Sequence, residues 1–298
     1  MVPALKKPIS HADEKNRYKF AKRNPDYTID QDWQSYTSAE HDRWDRLFAR
    51  MQEVLPNRAC PEFLDAMETL RLSNGGIPDM EKLSDRLEPL TGWRVVPVTD
   101  LVPDHIFFDH LANRRFPAGA FIRPEHELDY LEEPDIFHDI FGHVPLLANP
   151  VFARFMQAYG EGGGRAASRG MLKNLARLYW YTVEFGLVKS SDGIKIFGAG
   201  IMSSSAESVF ALEAPSPHRI AFDLERIMCT DYIIDDFQQT YFVIDSFDQL
   251  LEDCYKDFSS LYDRLENKPI IQPSQIIPND SLLNRGTLEY FRQKGTVE

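Results

Sequence analysis

The chain has 298 residues, with 46 acidic side chains against 33 lysines and arginines and a formal net charge of −13. That balance argues against nucleic acid and anionic membrane surfaces as partners, and no run approaches the ~20 apolar residues of a membrane span. Cys60, Cys229 and Cys254 share no ligand spacing, which removes support for a structural zinc centre and suits a reduced, cytoplasmic protein.

The patterning predicts a mainly α fold with a few short strands, long enough for one large domain. Residues 1–35 are polar with scattered prolines and charges, and read as a flexible N-terminal arm without the apolar stretch of a signal peptide. Thr37-Ser38-Ala39-Glu40 is a capping-box pattern and opens a helix with Trp44, Leu47 and Met51 on one face. Further helices begin at Pro61 and after Pro78, the second ending near Gly92. A short strand is expected over 93–98, then helices over 103–111 and 149–159. The glycine-rich run 160–165 follows a helix and lacks the lysine-serine or lysine-threonine ending of a phosphate loop, so it reads as a flexible connection. Short strands are expected over 194–197 and 239–244, with one helix within 217–229. Phe247, Leu250, Leu251, Cys254, Phe258, Leu261 and Leu265 form a helical stripe assigned to core packing. The folded unit spans 36–266, and 267–298 is a weakly patterned C-terminal tail.

Chemistry concentrates in Pro134 to Pro145, where His138 and His143 stand five apart in an apolar run. On one unbroken α-helix the two rings would point about 140° apart, from roughly 100° per residue. They converge if the helix stops between them, and Gly142 and Pro145 supply such a stop. Two buried imidazoles without a shared partner would each cost about 1–3 kcal/mol. The histidines either hydrogen-bond to backbone carbonyls or share a metal. Glu184 lies in Leu175 to Val188, apolar around nearly its whole circumference and therefore a buried helix. A carboxylate there must be paired, protonated or metal-bound, and Arg177, seven residues back, is an alternative partner. Two imidazoles and a carboxylate with open positions suit non-haem Fe(II). Zinc hydrolases also use two histidines and a glutamate, but the His-Glu-x-x-His signature is absent.

The segments PDIFHDIFGHVPLL from Pro134, LYWYTVEFG from Leu178 and GAGIMSS from Gly198 resemble the pterin-dependent aromatic amino acid hydroxylases. Within that family the chain is most similar to the short bacterial phenylalanine 4-hydroxylases, over roughly Tyr36 to Leu265. The resemblance implies a catalytic domain over 36–266 with His138, His143 and Glu184 as iron ligands and Phe107 stacking on a tetrahydropterin. It implies that Arg123 holds the substrate carboxylate, with Tyr130 and Leu131 around the amino-acid end. Pro134 and Trp180 would wall the ring pocket, and Ser203 would support the ligands and the substrate. Asp139 stands where vertebrate members carry a glutamate near the pterin, and its shorter side chain would reach the pterin only through water.

The implied reaction is hydroxylation of L-phenylalanine to L-tyrosine by O2, with Fe(II) and a tetrahydropterin that leaves as the 4a-hydroxypterin. Tryptophan or tyrosine hydroxylation is the alternative within the family, and a non-catalytic pterin- or amino-acid-binding relative the alternative outside it. Larger animal members carry a regulatory domain and an oligomerisation helix for which this chain has no room, so a monomer is expected.

Overall fold

The computed structural model describes residues 18, 20–73, 75–128 and 133–297. Helix α1 (Ser38–Val54) starts at the expected capping box: the Glu40 amide donates to the Thr37 hydroxyl, and the Thr37 amide donates to the Glu40 carboxylate at 2.7 Å. Its Trp44, Leu47, Phe48 and Met51 enter the core. Helix α2 (Pro61–Thr69) has proline in its first turn. Helix α3 (Met80–Thr91) is capped by Asp79 and ends at Gly92, whose φ of 77° favours glycine. Strand β1 (Arg94–Val98) pairs in parallel with β2 (Arg115–Gly119), and α4 (Asp104–Ala112) makes the crossover.

A π-helical turn, Phe137–His143, then runs directly into α5 (Val144–Leu147). After α6 (Pro150–Ser168), helix α7 (Leu172–Tyr179) passes into a second π-helical turn, Trp180–Glu184. The chain continues through β3 (Leu187–Ser190), β4 (Gly193–Ile196), α8 (Ala199–Met202), α9 (Ser205–Glu213), β5 (His218–Ala221) and α10 (Leu224–Cys229). Strand β6 (Thr240–Ile244), α11 (Phe247–Cys254), α12 (Ser259–Leu265), β7 (Leu282–Asn284) and α13 (Glu289–Lys294) complete the chain. The five-stranded sheet has the order β4-β3-β6-β5-β7, parallel at β3–β6 and β6–β5 and antiparallel at its two edges. The mainly α architecture is as the sequence predicts.

Three expectations are corrected. The glycine run 160–164 lies inside α6. A Cβ on Gly160 would sit 2.4 Å from the Ala112 amide, and one on Gly163 would sit 2.1 Å from the Phe108 ring, so these glycines let α4 press against α6. The described part of the expected arm packs against the core: Tyr18 and Ile29 are buried, and Thr28 bridges to Val98 at the edge of β1. Apolar residues spaced this widely carry no period, which is why the stretch reads as an arm. The tail also packs, through β7 on the sheet edge and through Phe291 of α13, which is fully buried. The β7 side chains are exposed and its pairing is a backbone matter, so no alternation marks it.

Candidate active site

The two π-helical turns position the site. No helix stop occurs at Gly142; its φ is not positive, and the helix continues into α5. In a π-helix the hydrogen bonds reach i→i+5, so His138 and His143 lie one above the other on the same face. This geometry replaces the expected helix end and achieves the same convergence. Gly142 serves close approach: a Cβ there would stand 2.8 Å from the Ala199 carbonyl oxygen of α8. The second π turn carries Trp180 and ends at Glu184.

His138 Nε2 and His143 Nε2 are 3.1 Å apart, and the Glu184 carboxylate oxygens lie 3.5 Å and 3.3 Å from them respectively. One donor atom from each of the three falls within 4.8 Å of the others. Arg177 does not answer Glu184; it faces Asp231 at 3.5 Å. The Ser203 hydroxyl donates to the Ala199 carbonyl at 2.8 Å, so it accepts from His138 Nδ1–H at 2.9 Å. That fixes the His138 tautomer with its Nε2 lone pair aimed at the other two ligands. The His143 ring is held between Phe116, at 5.0 Å, and Tyr179, at 6.2 Å.

Burial lowers the His138 pKa to about 4, overcoming the attraction of Glu184. Burial also opposes charge on His143, but Glu184 beside it outweighs that and raises its pKa. Burial raises Glu184 as well, yet His143, His138 and a hydrogen bond from the Gly200 amide hold it below the usual carboxylate range. A carboxylate held below its usual range beside two imidazoles, one with its Nε2 lone pair fixed by the Ser203 contact, is a donor set that fits a ferrous ion.

The triad lies where two cavities meet. The larger, of about 620 Å³, is lined by Arg123, Pro134, His138, Trp180, Glu184 and Ser203 among others. The smaller, of about 170 Å³, shares Pro134, His138 and Glu184 and adds Phe107, Asp139 and Tyr179. Tyr130 and Leu131 lie outside the described residues. Asp139 accepts from the Gly119 amide at 2.7 Å, and burial pushes its pKa up to about 7.

Arg123 is buried, and its fork is already engaged. Nε and Nη2 each donate to Asp135 at 2.8 Å, and the Arg123 amide donates to the same carboxylate at 2.9 Å. Asp135 is wholly buried and also accepts from the His138 amide at 3.0 Å. It thereby ties the arginine of the larger cavity to the first turn of the histidine helix. Sequence reasoning passed over Asp135, although an acid opening an apolar run carried the signal. It also missed Gln238 and Tyr232, which stand in a polar loop with no pattern to mark them.

The chain belongs to the biopterin-dependent aromatic amino acid hydroxylases, whose family model matches residues 9–272. It is 60% identical over 273 residues to the phenylalanine-4-hydroxylase of Caulobacter vibrioides, covering 92% of this chain and 93% of that one. With the phenylalanine-4-hydroxylase of Ralstonia nicotianae it is 54% identical over 265 residues, or 89% and 85% of the two chains. The structure of phenylalanine hydroxylase from Chromobacterium violaceum bound to cobalt superposes with a TM-score of 0.88 at 48% identity, covering 90% of this chain and 98% of that one.

Proposed function

We propose that His138, His143 and Glu184 hold the iron of a phenylalanine 4-monooxygenase, with L-phenylalanine in the larger cavity and the reduced pterin in the smaller. The chain catalyses conversion of L-phenylalanine to L-tyrosine, with O2 and a tetrahydropterin as co-substrates. One observation supports this division of the site above others: the two cavities share His138 and Glu184 of the triad, along with Leu101 and Pro134, so two organic reactants can face one metal from separate chambers.

When bound, iron and reduced pterin supply the activation of O2 that ring hydroxylation requires. The side chains supply position and exclusion. Arg123, locked by Asp135, presents its remaining N–H edge to the substrate carboxylate. Pro134, Trp180 and Phe185 enclose the ring. Ser203 keeps the His138 proton on Nδ1 throughout, because its own hydrogen is committed to Ala199. In the smaller cavity Phe107 offers an aromatic face for the pterin, its ring steadied edge-on by Tyr179 at 5.7 Å. Asp139 lines the same cavity, a polar group within reach of the pterin through a water.

We place the enzyme in the cytoplasm as a monomer. The three cysteines are free, and among the described residues no helix is long and apolar enough to cross a membrane. Side-by-side turnover of phenylalanine, tryptophan and tyrosine with Fe(II) and a reduced pterin tests the substrate. Tyrosine from phenylalanine is the expected main product, and a higher kcat/KM for tryptophan would contradict the assignment.

A further inference from the structure

Trp180 is the largest flat surface on the proposed ring chamber, and its orientation is controlled from behind. Its indole Nε1–H donates to Gln238 Oε1 at 2.9 Å. Its ring stacks on Tyr232 at 4.3 Å and 16°, with Phe185 tilted against it at 4.7 Å. Gln238 is 1% exposed, so its amide has no water to turn toward. Its Nε2 donates to the Ile233 carbonyl at 2.8 Å and the Asp236 carbonyl at 3.3 Å, which commits both amide hydrogens to the backbone of its own loop. Rotating the amide would set oxygen against those carbonyls and NH2 against the indole N–H. The acceptor therefore faces Trp180 and nothing else. The loop is itself anchored: Asp236 accepts from the Tyr290 hydroxyl at 2.9 Å and pairs with Lys294 at 3.0 Å, both on α13. The Gln238 backbone N–H donates to the Glu207 carboxylate at 3.4 Å.

We propose that Gln238 is a positioning residue for the substrate ring, holding the Trp180 indole at the angle that favours a phenyl ring over a bulkier indole. This rests on the larger cavity being the amino-acid chamber. With Oε1 removed the indole can swing about its side-chain torsions, since stacking on Tyr232 restrains the ring plane but not rotation within it. Loss of one such hydrogen bond corresponds to roughly a fivefold change.

The test is a double-mutant cycle in the iron-loaded, full-length enzyme, using wild type, Gln238→Leu, Trp180→Phe and the pair. The readouts are kcat and KM for phenylalanine and for tryptophan, KM for the tetrahydropterin, and iron content. Gln238→Leu is expected to raise KM for phenylalanine more than it lowers kcat, and to cut the phenylalanine-over-tryptophan ratio of kcat/KM about fivefold. Iron content and pterin KM stay at wild-type values. In the Trp180→Phe background, which has no indole N–H, Gln238→Leu should move that ratio no further. A ratio unchanged by Gln238→Leu, or an effect that persists in full without the indole, overturns the inference. Should the leucine variant not fold, Gln238→Asn keeps an amide too short to reach Trp180 and is read the same way. If Trp180→Phe alone leaves the ratio unmoved, the chamber itself is misassigned and the reading beneath the inference falls with it.

Discussion

Asp135 and Glu207 are both buried carboxylates within a few residues of the site, and they sit on opposite sides of ordinary titration. Asp135 has the Arg123 fork and two amides around it, which overcome its burial and keep its pKa low. Glu207 has, among the described residues, the Tyr241 hydroxyl at 2.7 Å and the Gln238 backbone N–H, and burial pushes its pKa from 4.5 up to about 7. A raised carboxylate pKa means the folded protein binds the proton more tightly than the unfolded chain. Below about pH 4.5 both states are neutral there and nothing is lost. Between about 4.5 and 7 the unfolded chain is ionised first, so stability falls as pH rises, by up to about 1.4 kcal/mol per pH unit. Glu207→Gln can still accept from Tyr241 and removes that dependence. Denaturant unfolding at several pH values should show the variant gaining on wild type from about pH 4.5 to 7, then running parallel; curves parallel throughout would contradict the burial argument. At this scale the ligands were legible because imidazole and carboxylate in an apolar run demand a partner. Glu207 and Gln238 were not, because each acts through a hydrogen bond to a residue distant in sequence or to a backbone group, which no local pattern encodes.

Among elements, the two π-helical turns account for the site. Each ligand-bearing segment widens by one hydrogen-bond step where it carries its ligand, and the i→i+5 spacing of His138 and His143 is the signature of that widening. The sequence shows the spacing but not its cause, since glycine and proline after a histidine also fit a helix stop. In the structure the helix continues, and Gly142 lies against the Ala199 carbonyl of α8, a contact that leaves no room for a side chain. Gly142→Ala should drive α8 away, displacing Ser203 from His138. We expect a loss of about 1–3 kcal/mol in stability together with weakened iron binding, read by unfolding and by metal titration. A variant with wild-type iron affinity would show that the α8 contact does not position the ligands. The long amphipathic helices were legible from period and capping, whereas β7 and α13 were hidden by exposure and shortness.

Across the whole molecule, the helices and the mixed sheet meet around two cavities joined at the triad, and the C-terminal segment reaches back to the larger one through Tyr290 and Lys294. Tyr290 and Lys294 lie beyond the segment matched by the family model, yet they line the proposed amino-acid chamber. The expected boundary at 266 is not a structural break, because Ile271 pairs with Thr230 and β7 pairs with β5. What the chain as a whole must do is hold one iron where both chambers open. The most direct measurement is iron per chain together with tyrosine formed per tetrahydropterin supplied, in wild type and in Glu184→Ala reconstituted side by side with Fe(II). Near-stoichiometric iron and tyrosine formation are expected in wild type, with loss of both in the variant. Wild-type turnover by Glu184→Ala would contradict that expectation.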